Sequence, residues 1–227
     1  MCLTKSTAKG YAAAVRSYNQ YCGLARALDV IGDRWSLLIV RELLEGARRF
    51  NELLDGLPGI ATNLLTERLR ELELKGVIEH GEDGRYALTS WGRGLHEPIY
   101  ALGRWAGPLM LERGDSAFQP QWLRHMVIAR FEGVDPDRRD MIVEVRIDGQ
   151  EPMTLLSMRG RVRLVDGSTQ DPDVVLSGPP DGVAGVLGGR LSRSEGVRRG
   201  VTVHGDVRVL AGLRPRTGYA AVPAAAG

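Results

Sequence analysis

The chain has 227 residues, enough for two ordinary domains, and its 43% hydrophobic and 26% charged content describes a packed globular protein rather than a disordered one. The formal charge of +2 is nearly balanced, so any surface for a polyanion has to come from local clustering rather than from the chain as a whole. No run approaches the ~18 consecutive apolar residues of a membrane helix, and the polar opening Met1–Thr7 lacks the apolar core of a secretory signal, so a cytoplasmic location away from any membrane is expected.

From Leu24 to Leu44 apolar residues recur every three or four positions: Leu24, Ala27, Leu28 and Ile31, then Trp35, Leu38, Ile39 and Leu43. That spacing puts them on one side of a helix. Gly32-Asp33 interrupts it, so two helices are expected, with Asp33 as N-cap of the second and Gly46 at its end. Phe50, Leu53, Leu54 and Leu57 make a short third helix closed by Pro58-Gly59. Thr62 to Lys75 makes a fourth, with Leu65, Leu69 and Leu72 inward and Gly76 as its stop. Val77–His80 and Arg85–Leu88 are short strands around the turn Gly81-Glu82-Asp83-Gly84. Thr89-Ser90 then caps a long fifth helix running to about Glu112, striped by Leu95, Ile99, Leu102, Trp105, Ala106 and Leu109.

A polar stretch, residues 114–121, divides a domain over 1–113 from one over 122–227. Strand patterns dominate the second. Met141, Val143, Val145 and Ile147 alternate with Glu144, Arg146 and Asp148, the pattern of a half-buried strand. Further strands are expected at His125–Phe131, Met153–Met158, Gly160–Val165, Val174–Ser177 and Val201–Val209, with one helix over about Asp181–Leu191. Fold class is therefore α+β.

Helix, short turn, helix and β-hairpin is the order of a winged helix-turn-helix, whose second helix enters the major groove of double-stranded DNA. With Leu65, Leu69 and Leu72 inward, Thr62, Asn63, Thr66 and Arg70 project from the opposite side, with side chains suited to base edges and phosphates. Arg48 and Arg49, before the third helix, are placed to neutralise phosphates, and Arg85 lies at the hairpin. Taken singly, each of these arginines also fits an ordinary solvated face.

The strings Cys22–Trp35, Leu37–Leu44, Arg48–Leu53, Leu57–Ile60, Leu65–Glu73 and Tyr86–Thr89 resemble the HxlR family of bacterial winged-helix regulators over residues 22–113. The resemblance implies a transcriptional regulator, read here as a repressor, acting as a homodimer on a pseudo-palindromic operator. It implies dimerisation through terminal helices, hence a seam at Leu95, Ile99, Leu102, Trp105 and Leu109, completed by residues 11–21. The other reading of the long helix is that it caps its own domain. One departure is the hairpin turn: family wings are longer and carry a proline-containing tip, which puts minor-groove reach by Arg85 in doubt.

Two features are candidates for an input. Asp173–Gly178, the helix from Asp181, Gly200–Asp206 and Val207–Leu213 resemble sterol-carrier-protein-2-like (SCP2-like) domains, which implies a sheet and helices around a cavity for an apolar small-molecule effector. The alternative is a solid α+β core serving dimerisation. The second candidate is Cys22, where a helix begins and the helix dipole favours thiolate; its other reading is a small buried apolar residue. Cys2 and Cys22, the two cysteines, make neither a disulfide framework nor a structural metal set. His80, His96, His125 and His204 are widely separated and no nucleophile motif is present, so neither metal, cofactor nor enzymatic activity is expected.

Overall fold

The structure, a computed structural model, describes residues 17–110, 116–119, 121–131, 135 and 137–213. Cys2, residues 11–16 of the expected seam and the expected helix end at Glu112 lie outside the described residues. The chain forms two compact units that divide between His96 and Glu97, ahead of the 114–121 stretch.

The first unit runs α1 (Gly23–Ile31), α2 (Ser36–Leu44), β1 (Arg48–Arg49), α3 (Phe50–Gly56), α4 (Thr62–Leu74), β2 (Ile78–His80), β3 (Arg85–Leu88) and α5 (Ser90–Arg93). Its apolar stripes meet in one core: Ile39, Val40 and Leu43 of α2, Leu53 of α3, Leu65, Leu69 and Leu72 of α4, and Ile78 and Leu88 of the hairpin are all buried. Local chemistry sets the element ends. Gly76, in the left-handed region at φ +70°, ends α4 as Val77 N–H donates to Leu72 O and Gly76 N–H to Glu73 O, both at 2.9 Å. Thr89 caps α5, its hydroxyl accepting from Gly92 N–H at 3.0 Å and donating to Gly76 O at 2.7 Å. Gly92 has to be glycine, because a Cβ there would lie 2.0 Å from Val77 O.

The start of α2 differs from expectation. Its N-cap is Trp35, in the left-handed region at φ +82°, and not Asp33. The Asp33 carboxylate is drawn away to Arg68 of α4, Oδ2 lying 3.1 Å from Nη1. The hairpin also gains a third strand: β1 pairs with β3, giving the antiparallel order β1-β3-β2 with Arg49 opposite Arg85.

The expected fifth helix is broken. After α5 the chain resumes as α6 (His96–Trp105) and a 3-10 turn at Gly107–Met110. All but its first residue, α6 belongs to the second unit. That unit continues with α7 (Trp122–Phe131), β4 (Met141–Ile147), β5 (Met153–Met158), β6 (Arg161–Asp166), β7 (Val174–Gly178), α8 (Pro180–Leu187), α9 (Arg193–Arg198), β8 (Thr202–Gly205) and a 3-10 helix at Val207–Gly212. The sheet order is β6-β5-β4-β7-β8, antiparallel except for the β4–β7 pair.

Several expectations fail here, two of them for a tertiary reason. His125–Phe131 is helix, not strand. Every second residue of α7 is buried because the helix is covered on two sides: Leu123, Val127 and Phe131 join the sheet core, whereas His125 and Ala129 face α6. Two residues turn an α-helix through about 200°, so two opposite buried faces imitate the alternation of a strand. On β4, Glu144 is fully buried rather than solvated, under the loop 167–169. Val201–Val209 is strand only to Gly205, and α9 follows α8 where one helix was expected. Within the 114–121 stretch, Phe118 packs on the sheet core with its ring 6.3 Å from that of Trp122.

Candidate nucleic-acid interface and ligand cleft

On α4 the residues Thr62, Asn63, Thr66 and Arg70 are all exposed, beside the stripe of buried leucines. At about 100° per residue they fall within one arc of about 100°. Thr66 Oγ1 donates to Thr62 O at 3.0 Å, which leaves its hydroxyl lone pairs outward and its proton engaged. The residue before the helix is Ala61, whose side chain cannot cap, so the first-turn N–H groups are left for solvent or an anion. Arg70 makes no ion pair among the described residues, whereas Arg68, two positions earlier, is tied to Asp33, Glu67 and Glu71.

Arg48, Arg49 and Arg85 gather around one carboxylate. Arg49 N–H donates to Glu52 Oε2 at 2.5 Å, and this bond, followed by the charges of Arg85, Arg48 and Arg49, holds the Glu52 carboxyl below its ordinary pKa against a smaller opposing effect of desolvation. Arg85 is turned back into the unit: Nη1 donates to Ala47 O at 3.3 Å, and Glu52 and Asp83 lie 4.0 and 3.6 Å away. Arg49 is the cation over the hairpin turn, its Nη1 being 3.6 Å from where a Cβ on Gly84 would sit. The turn itself presents Glu82 and Asp83, both exposed, which repel phosphates. Arg49's place at the wing comes from the β1–β3 pairing, which nothing in a two-residue strand announces.

Of the expected seam, Leu102, Trp105 and Leu109 are 48%, 62% and 61% exposed, while Leu95 and Ile99 are half-buried. The opposite side of α6 is anchored, with Tyr100 Oη 3.0 Å from His125 Nδ1 and Gly103 close against Ala129. Cys22 is exposed at the N-cap of α1. The backbone N–H groups of Ala25, first, and of Leu24 hold its thiol below the ordinary pKa.

The second unit has a cleft of about 340 Å³ between the end of α7, the end of α8 and the last 3-10 helix. Phe131, Val186, Leu187, Leu191, Val207 and Leu210 line it, and Arg130 stands at its edge with Nη2 donating to Gly188 O at 2.8 Å. Burial first, then the like charge of Arg190, lowers the pKa of that guanidinium. A cleft of the same volume lies behind the wing, bounded by Leu43, Leu44, Ala87, Leu88, Arg93 and His96. Among the described residues no group of three His, Cys, Asp or Glu side chains is placed to hold a metal ion. No helix among them is long and apolar enough to cross a membrane.

The model of the HxlR-like helix-turn-helix family matches residues 30–113, which takes in α2, α4 and the hairpin. YvaP, an HTH-type transcriptional regulator of Bacillus subtilis, is 37% identical over 87 residues, 36% of this chain and 81% of that one. The chain belongs to the HxlR-like helix-turn-helix family. An HTH-type transcriptional regulator of Synechocystis is 39% identical over 87 residues, covering 36% of this chain and 64% of its own length. Among solved structures, the quinone-bound YodB of B. subtilis is 33% identical and matches 37% of this chain and 94% of its own with a TM-score of 0.35. The family match ends at residue 113, so β4–β8 and α7–α9 lie beyond it.

Proposed function

We propose that the protein is a cytoplasmic, non-catalytic transcriptional regulator, a repressor that binds a pseudo-palindromic operator as a homodimer. The observation that carries this is the exposed α4 face, with Thr62, Asn63, Thr66 and Arg70 in one arc, together with Arg48 and Arg49 on β1 beside the hairpin. Side chains of this kind on the second helix of a helix-turn-helix read base edges, while flanking arginines fix register on the phosphates. Arg85 contributes through charge rather than reach, given its contacts to Ala47 and Glu52. The dimer seam takes the outward side chains Leu102, Trp105 and Leu109 together with Leu95 and Ile99. In support, YvaP, 37% identical over 87 residues, carries the name of an HTH-type transcriptional regulator.

The input we assign to the second unit, whose apolar cleft by Phe131, Val186 and Leu191 suits a small apolar effector. A volume of about 340 Å³ is at the small end of ligand sites. The experiment uses the full chain and an operator selected from random duplexes. An apolar ligand that raises the melting temperature must also shift operator affinity, with Leu191→Glu abolishing both. A ligand response that survives Leu191→Glu rejects the cleft, and failure to select any duplex rejects the regulator. Cys22 favours a second reading, a thiol sensor of oxidants or electrophiles with the second unit serving dimerisation, because its exposed thiol has a lowered pKa. Loss of the oxidant response in Cys22→Ser, with the ligand response absent from wild type, would select it.

A further inference from the structure

The corner Val30–Trp35 between α1 and α2 touches the recognition unit at three places. The Trp35 ring edge lies 3.9 Å from where a Cβ on Gly59 would sit, in the turn before α4. Asp33 Oδ2 is 3.1 Å from Arg68 Nη1 in the body of α4. Val30 O accepts from Lys75 Nζ at 3.1 Å at the C-cap of α4. The contacts thus fall in the turn before the 13-residue helix, at its middle and at its C-cap. The corner is itself tightly defined. Trp35 holds φ +82°, a region that a bulky side chain occupies only when its surroundings force it. The Arg34 guanidinium lies 6.0 Å from its ring centroid.

We propose that the Val30–Trp35 corner is a brace that sets the attitude of α4 on DNA, with Asp33 acting through Arg68 and Val30 acting through Lys75 as its positioning points. The inference rests on our assignment of α4 as the recognition helix. Arg68 does not itself present to DNA: its side chain is 13% exposed, on the flank of the buried leucine stripe. Its charge is also met by Glu67 at 3.3 Å and by Glu71. Asp33 is therefore dispensable for compensating Arg68, and what it adds is the link from α4 to the corner. That division makes the brace separable from the fold. Asp33→Asn removes the charge from the link while leaving Arg68 paired within its own helix.

The test measures binding of the full chain, wild type and Asp33→Asn, to a selected operator and to a random duplex at fixed salt. A brace predicts a loss of operator affinity on the order of tenfold, as for a misaligned base contact. Random-duplex affinity and its salt slope stay unchanged, and Asp33→Glu restores operator binding. Lys75→Met, which removes the Val30 contact, gives the same pattern and serves if Asp33→Asn does not fold. Unchanged operator affinity in both variants overturns the brace, as does a parallel fall in operator and random-duplex binding with a lowered melting temperature, which marks a merely structural role. Asn63→Ala and Arg70→Ala are measured alongside. If they weaken operator binding and the corner variants do not, only the brace fails; if all four are silent, the assignment of α4 fails with it.

Discussion

Asn63 and Arg70 stand seven residues apart on the exposed arc of α4, with a rise of about 10.5 Å between them. A helix lying along the major groove therefore presents them to positions about three base pairs apart. Both are exposed, and Arg70 has no ion pair among the described residues, so truncation to alanine leaves no buried group stranded. The expected loss is that of one direct contact, about 1–3 kcal/mol, or roughly five- to 150-fold in operator affinity. Thr66→Val sets the scale. Its hydroxyl proton is already given to Thr62 O, so removing it costs much less than Asn63→Ala. Fluorescence anisotropy on a labelled operator at fixed salt reads all three. If Arg70 contacts a phosphate, its alanine variant also lowers the salt slope by about one and weakens random duplexes equally. Melting temperatures within a degree or two of wild type exclude unfolding as the cause. Unchanged affinity in both alanine variants, or a Thr66→Val loss larger than that of Asn63→Ala, refutes the assignment of this face.

Leu102→Asp places a charge on the outward side of α6, and if the proposed dimer forms through this seam it should yield monomer in sedimentation, because an unpaired charge in an apolar seam is costly. It is a cleaner probe than Ile99→Asp, since Ile99 is half-buried within its own unit. Gly92→Ala forces a Cβ toward Val77 O and should destabilise the first unit by about 1–3 kcal/mol, or more if the backbone cannot shift, seen as a lower thermal midpoint. For Glu144, burial raises the carboxyl pKa, but the Thr169 N–H, the Arg146 guanidinium and the Ser168 hydroxyl outweigh it and leave it lowered. Its contribution to stability is therefore complete above the ordinary carboxylate pKa of about 4.3 and disappears as pH falls through the lower folded value. Glu144→Gln should remove about 1.5–3 kcal/mol at neutral pH and flatten the acid limb of the stability curve; an unchanged limb would assign that limb to other carboxylates.

The four helices α1–α4 and the hairpin of the first unit are legible in the sequence because most of their boundaries are written in local chemistry. Gly76 supplies the left-handed stop of α4, Thr89 the cap of α5, and Gly84 the positive φ of the hairpin turn. The leucine stripe of α4 was legible because it has a single buried face, and that stripe leaves Thr62, Asn63, Thr66 and Arg70 on the exposed remainder of the helix. Whatever depends on a second neighbour is set by packing between elements. Asp33 is a sound N-cap by composition, yet its carboxylate goes to Arg68, 35 positions away, and Trp35 is left in a strained cap. Arg85 sits in a hairpin, yet its guanidinium reaches back to Ala47 O, and the pairing of β1 with β3 brings Arg49 over the wing turn. Glu144 alternates like a solvated residue, yet a loop more than twenty positions later closes over it. In α7 the burial repeats every second residue because the sheet covers one side and α6 the other, and periodicity along a chain reports only how many faces are buried, not what buries them.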